Sequence, residues 1–234
     1  MTALRLAAVL LFISPVAAAP VPATKTADEP VSKNAALLLQ QRKVQKELKL
    51  TGDQRIAIVD GIADIDEAIE KKREKLLRVP NPTADLFDKL EEERQKQAEK
   101  FLAASAKKLL SVESRNRLKQ IDRHVRGLES FADPDVQKVL ALTDDQKKAV
   151  EKAVKDQEEK IEAYLMQLGN DDSDNAKEAL LKVRNDEMKA LVAGFTAEQR
   201  TLWTSLLGEP VKGFDPLELW FTLIESEDSV PIPQ

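Results

Sequence analysis

The chain has 234 residues, of which 33% are charged and 4% aromatic, with 7 glycines, no cysteine and a formal charge of −5. The absence of cysteine excludes disulfides, a thiol nucleophile, a thiolate metal site and a lipid-modified N-terminal cysteine. The acidic balance disfavours a nucleic-acid or anionic-membrane role for the chain as a whole and favours basic partners, and the charge-rich, glycine-poor composition favours long amphipathic helices.

Residues 1–18 are predicted to be a signal peptide. Arg5 precedes an apolar run over Leu6–Ile13, and a proline and small residues follow, which is the layout of a secretory leader cut after Ala18. The run is shorter than the ~20 apolar residues of a spanning helix. We therefore expect a periplasmic or secreted chain with no membrane span, whose formal charge changes from −5 to −6 when Arg5 is removed. Residues 19–33, which lack apolar periodicity, are predicted to be a flexible lead-in.

Residues 34–130 are predicted to form a first helical-hairpin repeat. A helix is expected over 35–48. The next helix ends near Arg78, because its apolar face recurs at spacings of three, four and seven residues, at Ile58, Ile62, Ile65, Ile69 and Leu76. Prolines in "VPNP" end that helix, and a third is expected over 83–110. A fourth has apolar positions at Val112, Leu118, Ile121, Val125 and Leu128.

Residues 131–215 are predicted to form a second helical-hairpin repeat. "VQKELKLTGDQ" (44–54) and "VQKVLALTDDQ" (136–146) match at an offset of 92 residues, and the same offset relates Ile58 to Val150 and Ile69 to Ile161. Because the apolar face recurs with the motif, we predict an all-α fold of long antiparallel helical hairpins that is internally duplicated. Residues 216–234 follow as a C-terminal apolar segment and acidic tail.

A Thr-x-x-Gln motif precedes three of the predicted helices. As an N-cap, the threonine accepts a hydrogen bond from the amide three residues later, while the glutamine side chain reaches back to the threonine amide. Each copy is therefore expected to open with such a capping box, and the apolar residue before each threonine is expected to pack at the hairpin corner. The residues of this helix-capping motif are Leu50, Thr51, Gln54, Leu142, Thr143, Gln146, Phe195, Thr196 and Gln199. At Ser111 the box is incomplete, because Ser114 occupies the glutamine position.

The leader, the helical composition and the repeated "LTGDQ", "LTDDQ" and "FTAEQ" resemble the LTxxQ-motif family of bacterial periplasmic helical proteins, the Spy/CpxP-like proteins. The resemblance implies a helical chain that acts as an ATP-independent chaperone or as an accessory regulator of envelope stress. It also implies a cradle-shaped homodimer. This chain departs from the family in being longer, internally duplicated and acidic, whereas a client-binding cradle of the family is typically basic.

No catalytic, cofactor or metal site is predicted. His124 is the only histidine and has no cysteine to join it, so a transition-metal site is not expected. "NDDSDN" (170–175) lacks the glycine and glutamate of a calcium loop and is predicted to be a capped turn. A cluster of carboxylates alternates with basic residues, as on a solvated helix face. It comprises Glu91, Glu92, Glu93 and Glu99. Since phosphate loops and nucleophile motifs are also lacking, we do not expect an enzyme.

Two functional hypotheses remain open from the sequence. The first is a periplasmic chaperone or envelope-stress protein that holds partly unfolded protein clients in a shallow groove between hairpins. The second is a non-enzymatic structural or regulatory adaptor that docks one specific envelope protein. Breadth of binding distinguishes them, because a chaperone protects several unrelated clients and an adaptor does not.

Overall fold

The computed structural model describes residues 32–168 and 173–214, and no β-strand occurs among them. The predicted leader, nearly all of the lead-in, the start of the acidic turn at 170–172 and the C-terminal segment at 216–234 lie outside the described residues. The helices are α1 (Lys33–Leu38), α2 (Arg42–Glu47), α3 (Gly52–Leu77), α4 (Ala84–Leu109), α5 (Val112–Arg126), a 3₁₀ helix (Gly127–Ala132), α6 (Pro134–Val139), α7 (Asp144–Leu168), α8 (Ser173–Ala193) and α9 (Ala197–Leu207). The all-α prediction is confirmed.

Helices α3 and α4 are the long arms of the first half of the chain and run in opposite directions. Each has 26 residues, which corresponds to about 39 Å. Gln54 at the start of α3 donates from Nε2 to the carbonyl of Leu109 at the end of α4, at 2.9 Å. Further along, Arg94 Nε donates to Asp66 Oδ1 at 2.8 Å. The base of the pair packs against α1 through α4, and α1 also packs against α5. Residues of all four helices share one apolar cluster.

The helix expected over 35–48 is two short helices, α1 and α2. A turn separates them, in which Gln41 N donates to the carbonyl of Leu38 at 3.0 Å. The buried side chain of Gln45 donates from Nε2 to the carbonyl of Leu39 at 2.7 Å. This bond gives the Leu39 carbonyl a partner at the point where the helix is interrupted. The glutamine takes over a carbonyl that an unbroken helix would have bonded to its own backbone.

The second half places α7 and α8 side by side, and Lys160 and Glu187 form an ion pair across them. The two helices run in opposite directions, because Val150 near the start of α7 clusters with Leu191 near the end of α8, and Ile161 further along α7 clusters with Leu180. Its core contains a small aromatic group. Phe131 contacts Phe195 edge-on, with ring centroids 5.2 Å apart, and contacts Trp203 with centroids 4.1 Å apart. The second apolar cluster therefore draws on the 3₁₀ helix as well as on α6 to α9.

Two apolar clusters meet at the end of α5 without merging. Val125 belongs to the first cluster and Leu128 to the second. Backbone carbonyls lie at the junction, and two of them accept from side chains of α5: Arg123 Nη1 donates to Leu206 O at 3.0 Å, and His124 Nε2 lies 3.3 Å from Gly208 O. The two halves are thus joined by these hydrogen bonds and by apolar contacts, since Val211 and Phe214, which follow α9, pack into the first cluster.

Gly127 ends α5 one residue before Leu128, the last apolar position expected for that helix. Its φ of 57° and ψ of −116° lie where glycine is strongly favoured. The guanidinium of Arg184, from α8, fills the space in front of it and donates to the carbonyls of His124 and Val125. Arg184 therefore caps the C-terminus of α5 from the other half of the chain.

Candidate functional site

The Thr-x-x-Gln motifs lie at the starts of α3, α7 and α9. At α3, Thr51 Oγ1 accepts from Gln54 N at 3.2 Å, and Gln54 Oε1 accepts from Thr51 N at 2.8 Å. The same reciprocal pair joins Thr143 to Gln146 at 3.1 and 3.2 Å, and Thr196 to Gln199 at 2.9 and 3.1 Å. These bonds satisfy amides that a helix N-terminus otherwise leaves unpaired.

The apolar residue before each cap is buried. This holds for Leu50, Leu142 and Phe195, and also for Leu110, which precedes Ser111. Ser111 Oγ accepts from Ser114 N at 3.1 Å, and a serine at the fourth position is too short to reach back to the capping amide. The first half thus has one complete capping box and one partial one.

The motifs come together in pairs, one pair in each half. In the second half, Gln199 Nε2 donates to the carbonyl of Leu140 at 3.1 Å. In the first half, Ser114 Oγ donates to the carbonyl of Leu48 at 3.3 Å. Leu48 and Leu140 are related by the 92-residue offset, so the same backbone position is bonded at both corners.

The two corners differ in what fills the space between their motifs. Gln146 and Gln199 exchange amide hydrogen bonds at 3.0 Å in the second half. In the first half the shorter Ser114 leaves an open cleft of about 690 Å³. The cleft is bordered by Thr51 and Gln54 of one motif and by Ser111 and Ser114 of the other, with Leu48, Leu110, Glu113, Arg117 and Gln120 among its other lining residues.

Beside this open corner, α3 exposes two branched apolar side chains. Ile56 and Val59 are 58% and 59% exposed and lie one turn apart. At the offset of 92, the second half has Lys148 and Glu151 at these positions, and both are exposed. The charged residues in α7 indicate that these two positions do not need apolar side chains for packing within either half. The exposed pair in α3 therefore forms an apolar face, which we call the α3 face.

The α3 face lies in an acidic stretch of the helix. Residues 52–70 contain six acidic side chains and one basic one, a net charge of −5, whereas residues 144–162, at the same offset, have seven and five, a net charge of −2. The helix dipole favours acids only within the first turn. It accounts for Asp53 but leaves Asp60 and Asp64 unexplained. Together the two residues and their neighbours present apolar surface surrounded by negative charge.

His124 and the carboxylates of α4 have local structural partners. His124 is partly buried against the second half, and its burial lowers the pKa of the imidazole below 6.5. Glu91 pairs with Arg94 at 3.1 Å and Glu92 with Lys96 at 3.3 Å, both on the helix surface. Within 32–168 and 173–214, no group of three or more His, Asp or Glu side chains is placed to hold a metal ion.

The most buried ion-pair network lies at the junction and not in a cleft. Arg126 bonds to Asp133 through two nitrogens, at 3.0 and 2.5 Å, and to Asp122 at 3.0 Å, while Ser32 Oγ donates to Asp122 at 2.8 Å. Burial raises the pKa of Asp122, and Arg126 and Ser32 offset part of that effect. The network ties the first described residues to the end of α5, which is a structural role.

Comparison with protein-family profiles, with curated proteins and with solved structures finds no match for this chain. In the part of the chain that the structure describes, no helix is both long and apolar enough to cross a membrane. Sequence reasoning named the capping residues but not Ile56 and Val59. The signal that identifies them is the contrast with Lys148 and Glu151, because it appears only when the two halves are compared position by position.

Proposed function

We propose that this chain is an exported, non-enzymatic binding protein, an ATP-independent periplasmic chaperone or envelope-stress protein of the LTxxQ type that holds partly unfolded clients. The observation that carries the proposal is the α3 face, where Ile56 and Val59 are solvent-exposed in a helix whose counterpart has charged residues there. Exposed apolar surface with no packing role is a candidate site of association.

The size of the α3 face favours weak, reversible capture. Fully burying a branched apolar side chain contributes about 1.5–3 kcal/mol, so two that are already partly covered contribute less than that each. Such binding is strong enough to delay association between unfolded chains. It is weak enough for release without nucleotide hydrolysis, which suits a chain with no phosphate-binding loop in its sequence.

We also propose that the two halves derive from duplication. Support comes from hydrogen bonds that recur at corresponding positions. Gln137 Nε2 donates to the carbonyl of Phe131 at 3.0 Å, as Gln45 does to Leu39 in the first half, and both pairs are related by 92 residues. Lys49 and Ala141, also 92 apart, share a positive φ of 57° and 48°. After duplication, the first copy gained or kept the apolar face.

The charge around the α3 face favours basic clients. Negative charge attracts a basic polypeptide at distances up to about 8 Å at physiological ionic strength. It raises the association rate more than the affinity. We therefore expect added salt to weaken protection of a basic client and to leave an acidic client little changed.

The experiment that tests the proposal measures breadth of protection. Light scattering follows the aggregation of several unrelated clients, basic and acidic, with and without excess protein and without nucleotide. We expect slower aggregation of more than one client, with the largest effect on basic ones. Sedimentation of the protein alone determines whether it is the homodimer that the family resemblance implies.

A second candidate is an adaptor that docks one specific envelope protein, and the open corner in the first half favours it. The cleft offers fixed polar groups, including those of Gln54, Ser114 and Arg117, and such groups can select a single partner. An adaptor is supported if no client is protected at any salt concentration and one envelope protein binds tightly in a pull-down.

A further inference from the structure

The far end of the α3 and α4 pair exposes a second apolar group, which we call the hairpin tip. Leu77 is 61% exposed, Val79 47% and Leu86 38%. They flank the turn in which Asn81, between two prolines, adopts a positive φ of 55°. Prolines and an asparagine in this conformation restrict the turn, so the three apolar side chains are held at the end of a two-helix projection.

The two arms that meet at the hairpin tip have a net positive charge. Residues 71–90 contain six basic side chains and three acidic ones, a net charge of +3, on a chain of net charge −5. On the α4 arm Asp85 pairs with Lys89, and Asp88 is exposed. Lys71 pairs with Glu67 and Lys72 with Glu93, both directed away from the turn. Lys75 and Arg78, the cations nearest the turn, are exposed and have no ion-pair partner among the residues that the structure describes.

We propose that the hairpin tip docks onto an anionic lipid surface. Apolar side chains flanked by unpaired cations match the boundary between acyl chains and anionic headgroups, where apolar burial and electrostatic attraction act together. Exposed side chains at the end of two helices favour this occupant over a helical peptide, which needs a groove for its apolar face. Because about 30 Å of helix separates Ile56 from Leu77, docking at the tip leaves the α3 face free.

A single fluorescent probe tests this directly, because the chain has no cysteine of its own. An environment-sensitive dye is attached to Val79→Cys, and the matched control carries it at Val59→Cys on the α3 face. The full-length chains receive vesicles of phosphatidylcholine with or without phosphatidylglycerol. We expect a blue shift for the dye at position 79 with phosphatidylglycerol vesicles alone, and loss of that shift in high salt. The dye at position 59 is expected to stay in water.

Substitutions separate the apolar contribution from the charge. In vesicle flotation, Leu77→Ser/Val79→Ser and Lys75→Glu/Arg78→Glu are each expected to bind anionic vesicles at least tenfold more weakly. Ile56→Lys/Val59→Glu is expected to bind them like the wild type. All of these side chains are exposed, and unchanged helical circular dichroism checks that each variant folds.

Four results would overturn the proposal. Three concern the dye fluorescence: no blue shift at position 79 with any vesicle, an equal blue shift with neutral vesicles, or an equal blue shift at position 59. The fourth is that the hairpin tip binds polyglutamate more tightly than it binds anionic vesicles. The last result would assign the hairpin tip to an acidic protein instead of a lipid surface. Protection of clients does not enter this test, so the two proposals fail independently.

Discussion

Gln146 and Gln199 hydrogen-bond to each other through their side-chain amides at 3.0 Å, while each also completes a capping box. The first half has Gln54 and Ser114 at the corresponding positions, and the side-chain pair is lost. The loss of this pair contributes to the open cleft in the first half, where the lining residues Arg117 and Gln120 also replace Leu202 and Ser205 of the second corner.

Ser114→Gln is expected to close the cleft and to stabilise the protein. The new side chain can reach back to the Ser111 amide and donate to the Leu48 carbonyl, as Gln199 does at its own corner, and a net hydrogen bond contributes about 1 kcal/mol. The free energy of unfolding in urea is the measurement. The reverse change, Gln199→Ser, is expected to destabilise by about 1–3 kcal/mol, because the buried Leu140 carbonyl and Gln146 lose a partner. Destabilisation by Ser114→Gln would argue that the cleft is shaped by something other than the missing glutamine.

Thr51→Ala and Thr143→Ala are each expected to destabilise by about 1 kcal/mol, the usual cost of removing an N-cap side chain. Thr51→Ser, which keeps the hydroxyl, is the matched control and is expected to lose less. Client protection is expected to survive all three changes, because the capping bonds stabilise helix ends and do not contact the α3 face. Loss of protection with an unchanged melting midpoint would contradict this structural role.

The sequence predicts the helical arms and the capping bonds because both follow from local spacing. An apolar residue every three or four positions defines a buried face, and Thr followed three residues later by Gln defines a cap. The sequence did not predict that the first helix is divided in two or that α5 ends before Leu128. Each depends on a contact between distant residues or on the backbone conformation of one glycine. The side chain of Gln45 hydrogen-bonds to the Leu39 carbonyl between α1 and α2 only when it is buried in the folded chain. Helix α5 ends at Gly127, where the side chain of Arg184 from α8 packs against it.

Gly127→Ala is expected to destabilise by about 1–3 kcal/mol. A residue with a Cβ is strained at φ 57° and ψ −116°, and the added carbon would lie 2.6 Å from Arg184 Nη2. Gly52→Ala is the control, because its Cβ meets nothing within 4 Å. The control is expected to be neutral or slightly stabilising. The measurement is the free energy of unfolding in urea. Equal effects of the two substitutions would contradict the strained conformation of Gly127 and its close contact with Arg184.

His124 is expected to titrate with a pKa below 6.5 in the folded chain, because burial disfavours the imidazolium. The unfolded chain then binds a proton at higher pH than the folded one. His124 therefore contributes stability that is present above pH 6.5 and is lost as the pH falls through the lower, folded value. The single histidine gives one imidazole NMR signal to follow, and His124→Gln removes this part of the pH dependence. A folded pKa at or above 6.5 would contradict the burial of this side chain against the second half.

An exchange of the exposed residues between the two halves tests whether clients bind the α3 face. Ile56→Lys/Val59→Glu gives α3 the charged pair of α7, and Lys148→Ile/Glu151→Val gives α7 the apolar pair of α3. Each half already tolerates the exchanged type at an exposed position, so both variants are expected to keep wild-type melting. In light scattering of an aggregating basic client, we expect the first variant to lose most of its protection and the second to protect at least as well as the wild type. Full protection by Ile56→Lys/Val59→Glu would show that clients are not held at the α3 face.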